Sequence, residues 1–279
     1  MTLFVVDSQV HIWAPSTPER PWPPITKKPH REAPLSREEL LREMDAAGVS
    51  RAILVSPSWE GLRNDLVLEA AHDLPDRFAV MGRIEYEDPA SASLLPNWMA
   101  QPGMLGLRAA LASPTLTKAL VDGDLEWLWE GAEKAQIPVM VYAPHPVLPS
   151  IGRVAERHPG LKLVMCHLSV PQQTKDDAAF AGLDQLLALA RFPNVAAKSS
   201  GISGYSTEPY PHRNLEPYFR RVYDAFGPKR LFWGTDLSRL KCTYRQSLTM
   251  FTEEMDWMTE DDKEWFAGRG ICEWLDWPR

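Results

Sequence analysis

Apolar and polar residues alternate along the first stretch, Leu3-Phe4-Val5-Val6-Asp7-Ser8-Gln9-Val10-His11-Ile12-Trp13, with the two-residue period of a β-strand. That period places Asp7, Gln9, His11 and Trp13 on one face and Val6, Val10 and Ile12 on the other. Polar groups left unpaired in a protein interior cost about 1–3 kcal/mol each. An acid, an amide and an imidazole this close together therefore suggest a site, the bland reading being a strand end bonded to backbone and water.

The rest of the chain repeats one unit, an apolar run followed by a stretch with helical spacing. Further strands are predicted at 51–55, 78–84, 104–110, 137–142, 161–167, 194–200 and 230–236. Helices are predicted at 36–47, 64–72, 89–100, 115–135 with a break at Gly123, 147–158, 176–190, 215–226, and from Tyr244 to the end. The clearest boundary is Ser36, a capping residue with Glu39 three positions on, followed by Leu40, Leu41, Met44 and Ala47 until Gly48 stops the helix. Between the first strand and this helix, residues 14–34 carry proline at 15, 18, 21, 23, 24, 29 and 34. Proline removes donors and fixes φ, so this segment reads as an ordered loop, placed as a lid over the strand ends.

Eight βα units close most simply into an α/β fold of the TIM type, a (β/α)8 barrel, as a single domain over residues 1–279. An open doubly wound sheet is disfavoured, because the first strand lacks a glycine-rich turn and no G-x-G-x-x-G occurs. Walker, H-E-x-x-H and G-x-S-x-G motifs are also missing.

Composition narrows the partners. A net charge of −7 argues against a nucleic-acid surface, and no apolar run approaches the ~20 residues of a membrane span. The chain enters a strand at once, without a signal-peptide pattern, so a cytoplasmic location is expected. Cys166, Cys242 and Cys272 are odd in number and form no C-x-x-C, which fits buried thiols.

In a barrel, residues ending different strands meet at one mouth. Asp7, Gln9, His11, Arg83, Arg108, Tyr142, His167, Lys198 and Asp236 all end predicted strands. Arg239, Tyr205 and His212 lie in loops that can reach the same place, and Trp13, Trp59 and Trp233 are placed to line an apolar pocket. Arg83, Arg108 and Arg239 suit an anionic substrate, although a salt bridge is the commoner fate of any one arginine. His30, His72 and His158 read as surface groups.

Four blocks, Asp7-x-Gln9-x-His11-Ile12-Trp13, Arg157-His158-Pro159-x-Leu161-x-Leu163-Val164-x-x-His167-Leu168, Asn194-Val195-x-x-Lys198-x-Ser200-Gly201 and Arg230-Leu231-x-Trp233-Gly234-x-Asp236, resemble the amidohydrolase superfamily. The resemblance is to its amidohydrolase-2 branch of lactonases and decarboxylases. It implies a distorted barrel acting on small molecules, sometimes with one divalent metal. By residue type His11, His167 and Asp236 carry over. Gln9 replaces the first histidine of the family's His-x-His, and Tyr142 replaces the histidine that ends strand five, with His145 three residues beyond.

Amide and phenol are poor zinc ligands. No cofactor is therefore expected; if one divalent cation binds, His11 and Asp236 would hold it, with His145 as a substitute ligand. The expected function is a hydrolase that opens a small, carboxylated lactone or cyclic ester. Asp236 is the general base, His11 or His167 orients water or polarises the carbonyl, Tyr142 and Lys198 hold the oxyanion, and Arg108 or Arg83 holds a carboxylate. A non-oxidative decarboxylase of an aromatic or unsaturated acid, and a small-molecule binding protein without turnover, are the alternatives. Trp257 to Trp277 suggests a helix closing the barrel or a subunit contact, which leaves a homo-oligomer open.

Overall fold

Each apolar run forms a strand, and the eight strands pair in chain order, all parallel, with helical segments between them. They are β1 (Val6–Val10), β2 (Arg51–Leu54), β3 (Phe78–Gly82), β4 (Met104–Ala110), β5 (Val139–Tyr142), β6 (Leu163–Met165), β7 (Val195–Lys198) and β8 (Leu231–Phe232). This computed structural model describes residues 3–24 and 29–279, so residues 25–28 of the expected lid lie outside the described part.

Two apolar layers hold the barrel. Alternate strand residues, among them Val6, Ile53, Ala79, Met81, Met140, Val164, Ala196 and Phe232, fill its interior, and the larger layer packs the strands' outer faces against the helices. Ile271, Cys272, Leu275 and Trp277 join the interior cluster, and Arg51 at the start of β2 lies over the Trp277 ring at 5.0 Å. The C-terminal segment thus plugs the amino end of the barrel. Among the described residues no helix is long and apolar enough to cross a membrane.

The alternation expected of β1 does not run unbroken. Its register against β2 shifts between Asp7 and Val10. Val6 faces the interior while Val10, Ile12 and Trp13 pack in the outer layer. Asp7 is parted from Gln9 and His11 by this irregularity, and its carboxylate is fully buried at the seam between β8 and β1. It accepts hydrogen bonds from the Thr235 N–H (2.9 Å), the Thr235 hydroxyl, the Tyr244 hydroxyl (2.8 Å) and the Gln9 N–H (3.0 Å). Backbone bonds from Ser8 N to Trp233 O (3.3 Å) and from Asp236 N to Gln9 O (2.9 Å) complete the closure. Gly234 permits this approach, since a Cβ there would lie 2.5 Å from the Ser8 hydroxyl oxygen.

Several elements are shorter than the periodicity predicts. Residues 89–100 wind as 3-10 turns around Pro96, the predicted strands over 161–167 and 230–236 pair only at Leu163–Met165 and Leu231–Phe232, and the last helix is broken between Thr252 and Glu260. Ser36 and Gly48 bound their helix as read, Ser36 accepting from Glu39 N and Gly48 taking φ 78°.

Burial pushes the Asp7 carboxyl up to about 6, the bonds from Thr235, Gln9 and Tyr244 offsetting only part of the rise. Between about pH 4 and 6 the folded protein then keeps a proton that the unfolded chain has released, and stability falls as pH rises through that window, by about 3 kcal/mol in all. Urea unfolding of wild type and Asp7→Asn at pH 4 and pH 6.5 will show this extra decline in wild type only. Parallel pH profiles would contradict it.

Candidate active site

The carboxyl ends of the strands open on a cavity of about 280 Å³. Gln9 (β1) and His11 (just beyond it), Trp59 and Arg83 (beyond β2 and β3), Arg108 (β4), Tyr142 (β5), His167 (beyond β6), and Asp236 and Arg239 (beyond β8) line it. A second hollow of about 380 Å³ shares His30, His167, Gln172, Asp236 and Arg239 with the first and adds Lys175, Tyr205, Ser238 and Lys241. Asp236 and His167 therefore stand where the two meet.

His11 and Asp236 form the central pair. The imidazole Nδ1 lies 2.7 Å from the Val55 carbonyl, which only accepts, so Nδ1 carries a hydrogen. Nε2 lies 3.0 Å from Asp236 Oδ1. This close approach sets the imidazole directly against the carboxylate. Burial alone would raise the Asp236 carboxyl. The charges of His11 and Arg239, whose Nη1 lies 3.6 Å from Oδ2, more than offset it and hold the group far below the usual carboxylate range. Asp236 is ionised and 3% exposed, and Oδ1 makes no hydrogen bond of acceptable angle.

His167 is held differently. It begins three consecutive residues with left-handed φ, 55°, 49° and 57° at His167, Leu168 and Ser169, a conformation L-residues avoid and that clusters at functional sites. Its Nδ1 meets the Ser200 carbonyl (3.1 Å) and hydroxyl (2.9 Å), and its Nε2 faces the Gln9 side-chain nitrogen at 3.1 Å. Burial pushes its imidazole down to about 3, so it is neutral.

Two guanidinium groups enter the cavity without a counter-charge. Arg108 is 6% exposed; its Nη1 donates to Ala109 O (2.9 Å), and its Nε has no partner among the described residues. The Arg83 backbone is clamped by Asn64, which accepts from Arg83 N and donates to Arg83 O, both at 2.9 Å, and its Nε is likewise unpaired. Among the described residues neither arginine forms an ion pair with an acid. Burial and the neighbouring Arg108 charge lower the Arg83 guanidinium. One buried and one half-buried guanidinium, neither paired with an acid among the described residues, make the cavity a place for an anion.

The lid is anchored by Glu60, buried at 3% exposure, which takes Ala14 N (2.9 Å) and pairs with Arg20 (2.8 Å). His30 reaches over the mouth, its Nδ1 2.9 Å from the Ser238 hydroxyl and its ring edge-on to Trp59 at 4.9 Å. His30 is exposed, as the sequence predicts, while also reaching the mouth; His158, expected at the surface with it, is instead buried between Glu126 and Glu133.

Six expected site residues are elsewhere or otherwise occupied. The Lys198 ammonium is fully buried below the cavity, donating to Ser8 O (3.0 Å) and lying 3.2 Å from Met140 Sδ, so it offers no oxyanion contact. Tyr142 lines the cavity but donates its hydroxyl to Val170 O (3.0 Å), which removes it as an oxyanion donor. His145 is buried with Nε2 on Leu168 O (3.0 Å) and props the left-handed turn from behind. His212 bonds Glu208 O (2.8 Å) outside both hollows. Trp13 packs edge-on behind Trp59 at 5.2 Å, because the β1 irregularity turns it outward. Tyr205 lines the second hollow only.

A family model described as Amidohydrolase matches residues 6–269. An L-fucono-1,5-lactonase of Burkholderia ambifaria is 30% identical over 250 residues, 85% of this chain and 82% of that protein. The chain belongs to the amidohydrolase family. A 4-sulfomuconolactone hydrolase of Hydrogenophaga intermedia is 25% identical over 241 residues, covering 82% of this amidohydrolase and 73% of that protein. Among solved structures, an amidohydrolase from Burkholderia multivorans with bound zinc superposes with a TM-score of 0.82 at 21% identity, over 99% of this chain and 100% of that one.

The donor set here does not suit a zinc ion held by three protein ligands. His11 and Asp236 supply two donors, while Gln9 turns an amide nitrogen to His167 and Tyr142 gives its proton to Val170. Among the described residues no three His, Cys, Asp or Glu side chains converge to hold a cation.

The neutral state of His167 is directly observable. Side-chain 15N spectra will show one histidine fixed as the Nδ1–H tautomer from pH 5 to 9, because its depressed basicity moves protonation to about pH 3. A midpoint between 6 and 7 for that residue would contradict the assignment.

Proposed function

We propose that this amidohydrolase opens a small lactone bearing a carboxylate, without a resident metal. The observation that carries the reading is an ionised carboxylate, Asp236, lining the same cavity as two unpaired arginines. Its lactonase relatives act on cyclic esters, which supports the reaction class.

Arg83 and Arg108 take the substrate carboxylate through their unpaired N–H groups. Trp59 gives the ring an apolar wall, and the lid residue His30 covers it. Asp236 draws a proton from water as the water oxygen attacks the lactone carbonyl. Arg239, beside Asp236 Oδ2, faces the oxyanion that develops. When the tetrahedral intermediate collapses, the ring C–O bond breaks and the proton held by Asp236 passes to the leaving oxygen. His11, anchored on the Val55 carbonyl, fixes the position of Asp236. An ester-type leaving group departs readily, so a general base and cationic donors suffice without a Lewis acid.

Purified enzyme assayed against paired lactones, with and without a ring carboxylate, tests this. Base uptake without carbon dioxide release is expected, preferring the carboxylated member, and treatment with a chelator will leave the rate unchanged. Asp236→Asn is expected to lower kcat by roughly 10²- to 10⁴-fold. Arg108→Gln will raise KM for the carboxylated lactone at least about tenfold and leave the neutral one little affected, in line with about 1.5–3 kcal/mol for a charged hydrogen bond. Carbon dioxide release would replace the hydrolase with a decarboxylase, and zinc near one equivalent, lost together with activity, would exclude the metal-free version.

A further inference from the structure

We propose that Gln9 orients the attacking water, its side-chain carbonyl oxygen accepting one hydrogen of the molecule whose other hydrogen goes to Asp236. The proposal rests on the lactone-hydrolase reading and concerns the position where this chain departs from its family's first-strand histidine.

The orientation of the Gln9 amide follows from its neighbours. Ser200 O can only accept, so the His167 nitrogen facing it, Nδ1, is the protonated one. Nε2 is then a lone pair, and the Gln9 atom 3.1 Å away from it must be the amide NH2. The carbonyl Oε1 therefore points away from His167. Gln9 is 2% exposed, and this oxygen has no hydrogen-bond partner among the described residues. A buried carbonyl without a donor costs about 1–3 kcal/mol, which makes it a place where something else donates.

Asp236 Oδ1 lies 3.0 Å from His11 Nε2 but, among the described residues, makes no hydrogen bond of acceptable angle, so it too has room for a donor. The two residues are adjacent across the β8–β1 seam, where Asp236 N donates to Gln9 O at 2.9 Å, and both line the same cavity. Two neighbouring acceptors, each with room for a donor, call for one small molecule with two hydrogens to give. Water meets that requirement, and giving both leaves its lone pairs free for the carbonyl. A cation is a poorer match, because one of the two oxygens belongs to a neutral amide whose other atom is committed to His167. At this position glutamine turns a metal-ligand place into a water-binding one.

The test combines a crystal structure at high resolution with one variant. An ordered water within about 3 Å of both Gln9 Oε1 and the Asp236 carboxylate is expected in the wild-type enzyme; a metal ion there, or no ordered water, overturns the proposal. Gln9→Met keeps the length of the side chain but neither donates nor accepts strongly. It is expected to lose that water and to lower kcat about 100-fold, with KM within about twofold. His167 should stay in its Nδ1–H tautomer by 15N spectroscopy, which separates loss of the water from loss of support for the imidazole. A kcat within about threefold of wild type, or a fall in kcat accompanied by a change of His167 tautomer, overturns it. If wild type opens no lactone, the functional reading fails while the position of the water still decides the role of Gln9.

Discussion

Asp7 accepts hydrogen bonds from Thr235 and Tyr244 across the seam where the last strand meets the first. Every other feature of the site depends on that seam. It sets Asp236 N on Gln9 O, so the carboxylate from one end of the sequence and the amide and imidazole from the other become neighbours. A carboxyl with its pKa pushed up to about 6 is an expensive group to bury. Its three distinct donor residues explain why it is tolerated, and the missing Cβ at Gly234 explains how the strands come close enough.

Charge at the mouth is organised by burial. Asp236 is held ionised by His11 and Arg239, whereas His167, only one contact away through Gln9, is held neutral. Such divergence between titratable neighbours is how one site provides a base and an uncharged imidazole at the same pH. Among the described residues Arg83 and Arg108 have no acid as ion-pair partner, so the cavity keeps a positive potential that an anionic ring relieves. The site thus favours a ligand that brings its own negative charge.

Much of this was legible in the chain. The repeat of apolar runs and helical spacing led to the barrel, the Ser36 cap and Gly48 stop bounded a helix correctly, and His30 of the proline-rich segment reaches the mouth. What escaped was local and physical. An irregularity in β1 changes which face a residue occupies, so Trp13 and Asp7 left the site while Gln9 and His11 stayed in it. Strand-end position alone also says nothing about whether a donor is already used. The protons of Tyr142, His145 and Lys198 are taken by Val170, Leu168 and Ser8 carbonyls, bonds that depend on tertiary placement.

The central claim is that Asp236 delivers a water oxygen to a ring carbonyl at this seam. Single-turnover reaction of a carboxylated lactone in water enriched with 18O examines it directly, by mass spectrometry of the product. The account predicts one 18O atom in the newly formed carboxylate with every carbon of the substrate retained. A product lacking the label, or lacking one carbon, would contradict it.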